Sequence, residues 1–180
     1  MSDEKKVLIT GTSNRYQINK LKKEEPKIKL RQIKTKSGLP DELYLSENQE
    51  QIINELYNKT DLSETANYKI IKQQLENKLG SYKQQDLLKK RYDELSFIAF
   101  NDTIKKLYES KLCCHYCQSK LFIMYDIVRE MSQWTLDRIN NDIGHNTDNV
   151  VISCLDCNLK RRRTGKDAFL FTKQLNIVKI

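Results

Sequence analysis

The chain of 180 residues has room for one ordinary domain, or a small domain with an appendage, and for a modest core. Its 32 Lys and Arg against 24 Asp and Glu leave a net charge of +8, which favours polyanionic partners. No run is long and apolar enough to span a membrane, and Met1–Thr10 lacks the apolar stretch of a secretory signal, so an intracellular, reducing compartment is expected.

Residues 1–40 read as a basic, flexible arm: positions 1–36 carry eleven basic side chains against four acidic ones, without sustained periodicity. The arm is either a polyanion-binding segment or a solvated tail. Ser37-Gly-Leu-Pro40 punctuates its end, and residues 41–110 follow as a helical extension. Ser46-Glu-Asn-Gln-Glu50 supplies capping residues, and Ile52, Ile53, Leu56 and Tyr57 form the apolar stripe of a first helix ending near Thr60. Asp61-Leu-Ser-Glu64 caps a second, with Tyr68, Ile71, Leu75 and Leu79 spaced three or four apart until Gly80. Tyr82-Lys-Gln-Gln-Asp86 with Lys89, Lys90 and Arg91 then forms a polar stretch, read either as a solvated face or as a DNA contact. Phe97 to Tyr108 is a further helix.

Residues 111–180 carry the chemistry. Cys114 and Cys117 precede Lys120–Val128, whose β-branched and aromatic residues predict a strand. Trp134–Ile139 predicts a second strand, in which alternation sends Asp137 and Arg138 to opposite faces. Loop residues fill positions 140–148, Asn149–Ser153 is a third strand, and Cys154-Leu-Asp-Cys157 leads into a helix beginning at Asn158. That helix is expected to carry Lys160, Arg161, Arg162, Arg163 and Lys166, either gripping phosphate or as a solvated basic face, before a last helix capped by Asp167. Two Cys-x2-Cys pairs, Cys114/Cys117 and Cys154/Cys157, supply the four thiolates of a structural zinc site. Cys113 is left over, and His115 lies inside the first knuckle as a structural residue or spare ligand.

From Leu112 to Lys166 this sequence resembles the HNH endonucleases, zinc-knuckle proteins with a ββα-metal core found in phages and large DNA viruses; Tyr82–Asp86 is a weaker echo. The resemblance rests on Cys114/Cys117, Asp137-Arg138, Asn149, Cys154/Cys157 and Asn158. It implies an α+β fold and a metal-dependent DNA endonuclease in which Asp137 and Asn158 hold a catalytic Mg²⁺ or Mn²⁺ and Asn149 braces the loop. Arg138 stands where that family has its general-base histidine, and a guanidinium cannot take a proton. His145 is therefore the expected base or a third metal ligand, with Arg138 clamping phosphate. The rival expectation is a degenerate HNH domain that binds nucleic acid without cutting it. DNA is the first expected partner and RNA the second; a homodimer is one route to double-strand cutting.

Overall fold

The computed structural model describes residues 28–31, 39–58 and 66–175. Most of the basic arm and the Asp61–Glu64 cap lie outside them. Among the described residues five α-helices surround a two-stranded antiparallel sheet, a mixed α+β architecture. A 3₁₀ turn at Asp41–Tyr44 leads into α1 (Ser46–Asn58), α2 (Ala66–Leu88) and α3 (Phe100–Glu109). Strands β1 (Trp134–Arg138) and β2 (Val150–Cys154) follow, then α4 (Leu155–Arg161) and α5 (Lys166–Gln174). No described helix is long and apolar enough to cross a membrane.

The stripe on α1 buries Gln49, Ile52, Ile53 and Leu56, one face of a 3.6-residue period. This face packs on α3, and the Tyr57 and Tyr108 rings stack at 4.1 Å. One hydrophobic cluster runs from Leu43 through the helices and the hairpin to Phe169, so the helices share their core with the cysteine-bearing segment.

Helix α2 runs through Gly80, where its end was expected, and reaches Leu88. Gly80 sits where an added Cβ would meet nothing within 4 Å, so it interrupts no packing. The buried row continues past it as Ile71, Leu75, Leu79, Tyr82 and Asp86. That row lies along β1 in a fixed register. Lys78 Nζ donates to the carbonyl of Trp134, the Tyr82 hydroxyl accepts from the Leu136 amide at 3.1 Å, and Asp86 Oδ1 lies 4.0 Å from Arg138 Nη1. Four helical residues advance about 6 Å and two strand residues about 6.7 Å. Helix positions i, i+4 and i+8 therefore meet strand positions j, j+2 and j+4.

Lys120–Val128 is not a strand. Among the described residues it makes only isolated bridges, Lys120 with Cys113, Phe122 with Gln133 and Ile127 with Leu30. The cause is a buried side chain on α1. Gln49 Oε1 accepts from the amides of Ile123 at 2.7 Å and Met124 at 3.0 Å, and its Nε2 donates to the Met124 carbonyl at 3.3 Å. With those backbone groups bonded to Gln49, no neighbouring strand can pair there. Gln49→Leu should therefore destabilise the protein by at least about 2 kcal/mol, because two amides and a carbonyl lose their partner in a dry site. Urea unfolding checks this; a midpoint within error of the wild type would show that water replaces Gln49.

Candidate metal centre and the two faces of the hairpin

Two connections converge where β2 ends. The Cys114–Cys117 knuckle follows α3, while Cys154 closes β2 and serves as N-cap of α4, its Sγ accepting from the Cys157 amide at 3.3 Å. The Sγ atoms of Cys114, Cys117, Cys154 and Cys157 all lie within 4.8 Å of one another, a cluster able to hold a metal ion. The Cys117–Cys154 separation is 3.8 Å. Tetrahedral zinc with Zn–S near 2.3 Å places sulfurs about 3.8 Å apart, whereas a disulfide needs about 2.05 Å. The Cys154 amide also donates to Cys114 Sγ at 3.3 Å, a bond that favours thiolate. Hydrogen bonding from Cys154 pulls the Cys114 thiol down, and burial pushes the Cys157 thiol up. The donor set and spacing fit zinc. Cys113 and His115 stand outside the cluster; Cys113 Sγ contacts the Lys111 carbonyl at 3.4 Å, and His115 Nε2 is buried without a hydrogen-bond partner among the described residues.

Alternation along β1 sends its side chains to two faces. Thr135 and Asp137 face α4. Thr135 Oγ1 accepts from Asn158 Nδ2 at 3.1 Å, and Asp137 Oδ2 and Oδ1 accept from Arg161 Nε at 2.6 Å and Nη2 at 2.8 Å. The Tyr116 hydroxyl donates to Asp137 Oδ2 at 2.7 Å, and Arg161 also donates to the carbonyls of Thr164 and Arg138. Asp137 is 3% exposed and Arg161 1%, so this is an interior ion pair. Burial, then the bond to Asp137, raises the Tyr116 phenol, and the bond to Asp137 raises Arg161.

Arg161 was expected in the phosphate-gripping row and instead faces inward. Helix α4 starts at Leu155, before Asn158, and ends at Arg161, with Arg162 at φ 53° turning the chain away. The basic residues thus do not continue one helix. Lys160, Arg162 and Arg163 are exposed and Lys166 half-buried. Lys160 pairs with Asp156 at 2.8 Å and Lys166 lies 3.4 Å from Asp167.

Arg138 projects to the α2 face, where its Nη1 donates to the Ile143 carbonyl at 3.3 Å. There the Asp86 carboxylate accepts from the His145 amide at 2.7 Å and faces His145 Nδ1 at 2.9 Å, while the Tyr82 ring lies 4.5 Å from the imidazole. Burial lowers the His145 pKa against the opposing pull of Asp86, which favours the neutral ring. Since the carboxylate only accepts, Nδ1 carries the hydrogen and Nε2 the lone pair. Gly144 allows this approach: a Cβ there would sit 2.5 Å from the Arg91 carbonyl oxygen and 2.9 Å from Asp86 Oδ2. Asn149 ties the loop together, donating to the carbonyls of Asn140 at 3.0 Å and Gly144 at 2.9 Å and accepting from the Asn140 amide at 2.9 Å.

The structure thus groups Asp137, Asn158, Thr135, Arg161 and Tyr116 on one face, and His145, Arg138 and Asp86 on the other. No hydrogen bond or ion pair links His145 to Asp137 among the described residues. Asp86 and Tyr116 are the partners that sequence reasoning missed. The signal for Asp86 was a carboxylate continuing the apolar row of α2; Tyr116, inside the knuckle, gave none. Comparisons with protein-family models, curated proteins and solved structures find no match.

Proposed function

We propose that the chain is a metal-dependent DNA endonuclease of the HNH type, with zinc in the cysteine cluster. The observation that carries this reading is the β1–loop–β2–α4 unit, closed by four cysteines, which turns Asp137 and Asn158 toward one face. Exposed Lys160, Arg162 and Arg163 beside that face supply phosphate contacts whose strength falls as salt rises. His145, held through Nδ1 by Asp86, is buried on the opposite face from Asp137 and Asn158, so this reading takes no general base from it. Asp137 and Asn158 are hard oxygen donors of the kind Mg²⁺ or Mn²⁺ takes. As arranged, however, they do not fit a divalent ion, because Arg161 binds both oxygens of Asp137.

The Asp137–Arg161 pair favours a second reading, a zinc-stapled module that binds nucleic acid without cutting it. Supercoiled plasmid with Mg²⁺ or Mn²⁺ separates the two. The enzyme reading expects nicking that Asn158→Ala reduces at least roughly a hundredfold, as loss of one polar group that stabilises charge at a reacting phosphate does. Asn158 is the better control because it is half-buried and its side chain bonds, among the described residues, only to Thr135, so its loss should leave the fold intact. DNA binding without nicking would leave the binding module as the function.

A further inference from the structure

The face of β1 turned away from Asp137 carries a second site. A cavity of about 300 Å³ opens between α2 and the segment before β1. This is the lower end of the range for ligand pockets, roughly 300–1,000 Å³. Among the described residues two cations line it and no acidic residue does. Lys78 Nζ lies 4.9 Å from the Trp134 ring centroid and 5.6 Å from that of Tyr125, and it donates to Gln133 Oε1 at 2.9 Å. The Arg31 guanidinium lies 4.2 Å above the Tyr125 ring and donates to Gln74 Oε1 at 3.0 Å. All these partners are neutral, and no described carboxylate pairs with either cation.

Two like charges drawn into one cleft, one of them largely desolvated, are costly without a counter-ion. The amine of Lys78 reflects that cost: burial, and then the charge of Arg31, hold it down to about 7. An anion in the cleft would reverse both effects. The rest of the wall indicates which anion. A guanidinium plane beside an aromatic ring is a stacking surface for a base, and Gln74, Asn77 and Gln85 present amides suited to base edges. The volume exceeds what a bare phosphate needs.

We propose that this cleft binds the phosphate of a nucleotide, with Lys78 and Arg31 holding the phosphate and the amide row of α2 facing the base. The nucleotide is either free or the 5′ end of a single strand, and the chemistry is the same. The proposal does not rest on the nuclease reading, since the cleft and Asp137 lie on opposite faces of β1.

The test uses the whole wild-type protein and thymidine 5′-monophosphate. Lys78, with its lowered pKa, should be acetylated at neutral pH by an N-hydroxysuccinimidyl ester, and the mononucleotide should protect it, as read by mass spectrometry of peptides. Calorimetry should show the mononucleotide binding, thymidine not binding, and Lys78→Met weakening affinity by roughly tenfold or more, the effect of losing one charged hydrogen bond. Protection in the wild type keeps the test decisive if Lys78→Met misfolds. A 5′-phosphorylated trithymidylate that binds more tightly than the mononucleotide identifies a strand end as the source, and the reverse order identifies a free nucleotide. The proposal is overturned if the mononucleotide neither protects nor binds, if thymidine matches it, or if inorganic phosphate binds as tightly.

Discussion

Cys154→Ser should unfold the segment from Leu112 through α5 and release one zinc ion per chain. Cys154 belongs at once to β2, to the N-cap of α4 and to the thiol cluster. Its loss removes a ligand and a cap together. The hairpin has five residues per strand, too little by itself for an independent core. A structural zinc site contributes about 10–16 kcal/mol of apparent binding free energy at neutral pH, as much as or more than the whole net stability of a small domain, roughly 5–15 kcal/mol. Chelation of the wild type should therefore have the same effect. Elemental analysis gives the metal content, and circular dichroism melts with and without chelator give the stability. Metal-free protein that melts where the untreated protein does would sink the structural role. Cys113→Ser, outside the cluster, should change neither quantity.

Asp137→Ala should cost about 3–5 kcal/mol, the penalty for leaving one partner of a buried ion pair uncompensated. The substitution strips Arg161 of both charged acceptors and the Tyr116 hydroxyl of its own. The double change Asp137→Leu with Arg161→Met should recover most of that loss, since removing both charges leaves none stranded. Urea unfolding of the two variants decides it; if the double variant is no more stable than the single one, the pair is not the source of the effect. The magnitude also governs any cleavage assay. A lost activity in Asp137→Ala can come from unfolding alone, so its melt must be read beside its nicking rate.

Part of this architecture was legible in the amino-acid order because its cause is local. The stripe of Ile52, Ile53 and Leu56 produces α1 by periodicity, Ile104 and Leu107 do the same for α3, and a last helix forms over Lys166–Gln174, although Gly165 is its N-cap and Asp167, expected to cap it, lies inside its first turn. The cysteine pairs announce their cluster because the two-residue spacing lets both thiols of a pair reach one metal ion. The Lys120–Val128 strand failed because the groups that decide its fate, the amide oxygen and nitrogen of Gln49, come from more than seventy residues upstream. Gly80 failed as a stop signal because packing on β1 outweighs the roughly 1 kcal/mol a helical glycine costs.

Sequence alone therefore determined the helical periods, the alternation that parts Asp137 from Arg138, and the two Cys-x2-Cys pairs of the thiol cluster, all set by neighbours within a few residues. Only the tertiary structure decided the partners of the charged groups. Arg161 turns in to Asp137 because α4 ends there and the carboxylate is three residues into the facing strand. Asp86 meets His145 because α2 and β1 advance in matching steps and Gly144 lets the loop come close. Lys78 is left beside Arg31 without an acid among the described residues for the same reason: its place on α2 is dictated by the apolar residues around it, and what lies across the cleft is set by a different stretch of chain.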